Sequence, residues 1–114
     1  MTWRVQRINE VIKEELSKII LREIDFPDNT LVTITRVDTT SNLIKTKVYV
    51  STLPDKNAEK VLKILNSRVY FLQKTINKKL RMRPVPQIEF EEEVKTKEAG
   101  EIEELLEKIK KTNG

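Results

Sequence analysis

The chain has 114 residues, enough for one domain around one core, and carries a net charge of +4 with 35% of its residues charged. It contains neither cysteine nor histidine, which excludes disulfides, thiolate chemistry, a histidine general base and every common zinc site except an all-carboxylate one. No apolar run approaches the ~18 residues of a membrane span, and the N-terminal stretch mixes both charge signs, so a soluble, cytoplasmic protein is expected, taken as a monomer with a single domain over 1–114.

Residues 3–24 read as an amphipathic helix, with Val5, Ile8, Ile12, Leu16 and Ile19 recurring at steps of three or four. Pro27 and the Asp/Asn residues around it end that helix. Two strands follow, 31–38 and 43–51, both rich in β-branched residues. In the second, Ile44, Thr46, Val48 and Val50 are expected to face inward, with Lys45, Lys47, Tyr49 and Ser51 outward. Residues 39–42, TTSN, supply turn chemistry, so the pair reads as an antiparallel hairpin. Residues 56–82 carry one apolar stripe, Val61, Leu65, Val69, Leu72, Ile76 and Leu80, and read as one long helix ending at Arg83-Pro84. Residues 87–92 alternate as a third strand, with Ile88 and Phe90 inward. Residues 97–111 complete the chain as an acidic amphipathic helix carrying Ile102, Leu105, Leu106 and Ile109 on one face. The order predicts an α+β layer in which the long helix crosses over between the second and third strands.

Charge is segregated along this order. Residues 56–83 hold nine bases and one acid, Glu59, whereas 84–114 hold five bases and nine acids. If the long helix is regular, its apolar stripe spans about 0–100° and Lys56, Lys60, Lys63, Lys74, Lys78 and Arg81 fall at about 200–260°. Lys79 and Arg83 fall on the stripe side, where they snorkel or the helix frays. A solvated face is the plain reading of such a band, but solvated faces mix signs and pair Glu with Lys. The single-sign band favours a phosphate-rich partner. Lys45, Lys47 and Tyr49 either extend that surface or pair across the sheet with Glu89 and Glu91. Trp3, Tyr70 and Phe71 read as packing residues rather than base-stacking platforms.

Catalytic signatures are not found. The only glycines are Gly100 and Gly114, so no phosphate loop can be written. Strand alternation splits Glu91, Glu92 and Glu93 across two faces, and their spacing does not suggest a metal site. No enzyme activity, metal or cofactor is expected.

The segments RVQRINEVIKEELSKII (4–20), VTITRVD (32–38), LIKTKVYVS (43–51), LRMRPVPQIEF (80–90) and GEIEELLEKI (100–109) together resemble the ribosome-binding factor A family of bacterial small-subunit assembly factors. The resemblance implies a type II KH-like fold with a kinked helical pair. It also implies a non-catalytic role in late maturation of the 30S small ribosomal subunit, with contacts to 16S rRNA near the decoding region and a part in rRNA processing. Lys78, Arg81 and Arg83 match the family within KKLRMRPVP. Lys60, Lys63 and Lys74 rest on the charge pattern, and Lys79, Lys45 and Lys47 complete the candidate RNA-binding set. The family bends its helical pair with an Ala-x-Gly motif; here LNSRVYFLQ (65–73) places Arg68, Val69 and Tyr70 at that point. Asn66 and Ser67 make the kink in its place, or the helix runs straighter; the continuous stripe favours a shallow bend. A glycine-loop RNA clamp is therefore not carried over. The alternative is a protein-interaction module whose basic helix docks on an acidic ribosomal protein or assembly GTPase, with the acidic tail regulating access. A carboxylate-metal hydrolase built on Glu91–Glu93 is a more distant third.

Overall fold

A computed structural model of the chain describes residues 3–93. The expected helix at 97–111 lies outside the described residues. The elements are α1 (Trp3–Glu23), β1 (Leu31–Thr39), β2 (Lys45–Leu53), a 3₁₀ turn (Asp55–Asn57), α2 (Ala58–Ser67), α3 (Val69–Lys79) and β3 (Gln87–Glu92). The sheet runs β1-β2-β3, with β1 and β2 antiparallel and β2 and β3 parallel. A parallel pair needs a crossover, which α2 and α3 supply. This is the α+β, type II KH-like arrangement expected from the sequence.

The helices cover one face of the sheet. Val5, Ile8, Ile12, Leu16, Ile19 and Ile20 of α1 are buried, as are Val61 and Leu65 of α2 and Leu72 and Ile76 of α3. They meet Thr46, Val48 and Val50 of β2 and Ile88 and Phe90 of β3. Each fully buried side chain of this size contributes about 1.5–3 kcal/mol, so this core, rather than helix propensity, holds the elements. The buried hydroxyls are satisfied: Thr39 and Thr46 share a hydrogen bond of 2.9 Å, and Thr39 Oγ1 donates to Asn9 Oδ1 of α1.

Three details differ from the sequence expectation or add to it. Ile44 is 58% exposed rather than inward. The strand starts only at Lys45, because the turn runs to Ile44 through Leu43, whose φ is 61°. In β1, Thr35 is an extra residue between the pairs Ile34–Val50 and Arg36–Tyr49. This bulge resets the alternation, so Val32 and Ile34 face the core before it and Val37 and Thr39 after it.

The third difference bears on function. Residues 56–82 are not one regular helix. α2 stops at Ser67, Arg68 leaves helical geometry at φ −108° and ψ 7°, and α3 starts at Val69. Ser67 Oγ donates to the carbonyl of Ile64 at 2.6 Å, a local bond that competes with the helix ladder. No left-handed residue occurs at the break, so it forms without glycine. α3 then ends at Lys79, because Leu80 is extended at φ −87° and ψ 128°. Arg81 is thus not a helical residue, and its place in the projected band does not hold.

Candidate nucleic-acid interface

The two surfaces of the layer carry charge differently. On the open face of the sheet, Lys45 pairs with Glu89 at 3.4 Å and Lys47 with Glu91 at 3.6 Å. The parallel register sets Lys45 opposite Gln87 and Lys47 opposite Glu89, so each ion pair runs diagonally to the acid two residues further along β3. Arg36 lies 3.7 Å over the Tyr49 ring, and its Nε donates to Glu93 at 3.1 Å, which raises the Arg36 pKa above the usual guanidinium value. The cations of this face thus have anionic neighbours already. The cross-strand reading of Lys45 and Lys47 is the geometry observed.

The remaining candidates separate into two groups. Lys60 and Lys63 border a pocket with Lys56, Asn57 and Glu59, and Lys63 pairs with Glu59 at 3.8 Å. Lys74, Lys78, Arg81 and Arg83 gather around an open groove of about 610 Å³ where α3 gives way to β3, with Asn77, Leu80 and Met82. The break at Arg68 separates the groups, and each lines a pocket of its own. Lys79 is exposed at the end of α3.

Packing adds two residues that the sequence reading missed. α1 packs on α3, and its first turns meet the chain just past the end of α3. Arg4 and Arg7 therefore share a groove of about 200 Å³ with Leu80, Arg81 and Met82. The signal was local: the acids of α1 begin only at Glu10, so its first two turns carry positive charge alone. Among the described residues, Arg4, Arg7, Lys74, Lys78, Arg81 and Arg83 have no ion-pair partner.

What holds this corner is an amide. Gln73 Oε1 accepts the backbone N–H of Ile88 at 2.8 Å, and its Nε2 donates to the carbonyl of Pro86 at 3.1 Å and to Asn77 Oδ1 at 3.0 Å. β3 is an edge strand, and Gln73 meets the outward-facing N–H of Ile88 at its start and ties Pro86 to α3. Leu80, Met82 and Val85 anchor the same stretch against the core. The aromatics also depart from the packing expectation: Trp3 is 78% exposed, Tyr70 81% and Phe71 36%, the last with the Arg68 guanidinium 4.8 Å over its ring. Among the described residues, no cluster of three or more Asp or Glu side chains could hold a metal, and no helix is long and apolar enough to cross a membrane.

Comparison with known proteins places these features. The family model described as ribosome-binding factor A matches residues 4–106. A ribosome-binding factor A of Clostridium perfringens is 38% identical over 111 residues, covering 95% of this chain and 96% of the relative. A Thermotoga maritima protein solved by NMR, described as a ribosome binding factor A, superposes with a TM-score of 0.70 at 26% identity, covering 83% of this chain and 92% of that one. A Thermus thermophilus ribosome binding factor A, fitted into a cryo-EM map of a 30S complex, shares the fold at a TM-score of 0.58 and 20% identity, covering 81% of this chain and 93% of that one.

Proposed function

The chain belongs to the ribosome-binding factor A family, and from that premise we propose that it is a non-catalytic assembly factor. It binds the 30S small ribosomal subunit through 16S rRNA and assists the late maturation and processing of that RNA. It works in the cytoplasm as a monomer and needs no cofactor. The relatives' shared name supports the ribosome as partner. One observation supports RNA as the surface touched: six cations converge where α1 begins and α3 ends, without an ion-pair partner among the described residues. Unpaired like charges repel, and a polyanion relieves that repulsion while releasing its own counterions. The groove is broad and open, which suits a phosphate backbone. The paired cations of the sheet would first have to give up Glu89 and Glu91.

The test is binding to small subunits across salt for Lys74→Glu/Lys78→Glu/Arg81→Glu. Each phosphate that is no longer neutralised takes about 0.7–0.9 from the log–log salt slope, so both affinity and slope are expected to fall. Unchanged affinity and slope, or capture that survives nuclease treatment, would overturn the RNA reading.

A further inference from the structure

Beside the cationic groove lies a second pocket of about 460 Å³, lined by Gln73, Asn77, Arg83, Pro84, Val85 and Gln87. Its size falls in the ~300–1,000 Å³ range of small-ligand sites. Its composition is unlike that of the groove: one cation, three amides and two apolar side chains. That set suits a flat group with apolar faces and a polar edge rather than a phosphate. Asn77 and Arg83 line both cavities, so a nucleotide with its phosphate among Lys74, Lys78 and Arg81 has this pocket within reach of its base.

The hydrogen bonds fix what the pocket presents. Gln73 is locked by two backbone groups, since its Oε1 must face the Ile88 N–H and its Nε2 must face the Pro86 carbonyl. The second Nε2 hydrogen then points to Asn77 and requires an acceptor there, which is Oδ1. Asn77 therefore turns its Nδ2 away from Gln73, and that NH₂ has no partner among the described residues. A side-chain amide normally presents either end; here a chain of bonds from the backbone of β3 makes Asn77 a donor in advance. The paired use of amide oxygen and nitrogen by which asparagine reads adenine is disfavoured, because Oδ1 is already engaged.

We propose that this pocket receives one unstacked base of single-stranded RNA, with Asn77 Nδ2 donating to a base carbonyl and Pro84 and Val85 covering the ring. The proposal rests on the reading of the adjoining corner as an RNA surface, and it assigns to that surface a preference for strands that carry bases over abasic ones. RNA bases are read in this way where they are splayed out of single strands.

The test is fluorescence anisotropy with three RNAs of equal length: oligouridine, oligoadenosine and an abasic strand. Wild-type protein is expected to bind oligouridine about tenfold more tightly than the abasic strand, as one new hydrogen bond and one covered ring allow. Asn77→Ala is expected to remove most of that preference, lowering the affinity for oligouridine far more than that for the abasic strand, with circular dichroism reporting an intact fold. Equal binding of oligouridine and abasic strand by the wild type would overturn the base pocket and leave the phosphate surface standing. Equal weakening of all three RNAs by Asn77→Ala would do the same. If Lys74→Glu/Lys78→Glu leaves every affinity unchanged, or the wild type binds none of the three, the RNA reading of the corner falls and the pocket falls with it.

Discussion

Replacing Gln73 by alanine removes the amide that joins α3 to the edge of β3. Two backbone partners are lost, the Ile88 N–H at 2.8 Å and the Pro86 carbonyl at 3.1 Å, and both residues are buried. Each bond is worth about 1 kcal/mol net, and more where the partner is left unsatisfied. The exposed bond to Asn77 adds little. The expected cost is about 2 kcal/mol. For a domain near 100 residues this lowers Tm by about 8–16 °C. Urea unfolding followed by circular dichroism measures it, with an unchanged m-value showing that the same surface unfolds. Gln73→Met keeps the length and apolar stem but offers no hydrogen bond, so it should lose nearly as much as alanine. A loss below about 0.5 kcal/mol in both variants, or full stability in the methionine variant, would refute the idea that the amide holds the corner.

Two further outcomes follow from the geometry. Arg4→Gln/Arg7→Gln should lower the salt slope of small-subunit binding by about 1.4, one phosphate per arginine at the single-strand value, whereas Lys45→Gln/Lys47→Gln should leave it unchanged. The opposite ranking, from titrations at several salt concentrations, would move the interface to the sheet. Arg68→Gly should destabilise the fold by about 0.5–1 kcal/mol in urea unfolding, because Arg68 sits at φ −108°, where glycine gains no conformational advantage and adds chain entropy to the unfolded state. A gain in stability would show that the break is strained.

The strands and α1 were legible to within two residues because their signals are local. β-branched alternation marks a half-buried strand, and the three-four spacing of α1 marks its buried face. The same kind of signal misled over 56–82. Leu65 and Leu72 are seven residues apart, two turns of helix, and both are fully buried. A stripe with that spacing reads the same whether or not one residue between them leaves the helix. Leu80 continued the stripe from Ile76, yet it is extended and packs on the core from a loop. The helix end therefore lies well before Pro84, which had marked it. Arg4 and Arg7 join the candidate site only because α1 packs on α3, which brings together segments some seventy residues apart. No local pattern encodes that pairing. The exposure of Tyr70 follows from the break too: α3 starts anew at Val69, and Tyr70 comes to lie on its solvent side, one turn before Lys74.

The ion pairs of the sheet do more for the direction of the field than for stability. Each is exposed and worth at most about 1 kcal/mol. What they remove is positive potential from the open face. The paired and unpaired cations lie on opposite faces of the layer, so a polyanion meets different fields on the two sides. A net charge of +4 spread evenly would attract RNA weakly from every side. With Lys45, Lys47 and Arg36 matched by Glu89, Glu91 and Glu93, the unmatched cations lie on the helical side, and those at the corner converge. Their side chains extend from three segments, α1, α3 and residues 80–83, that one glutamine and three apolar anchors hold in place. A single-sign cluster on a long flexible loop would lose side-chain and backbone entropy on meeting a polyanion; this one has been ordered by the core before any partner arrives.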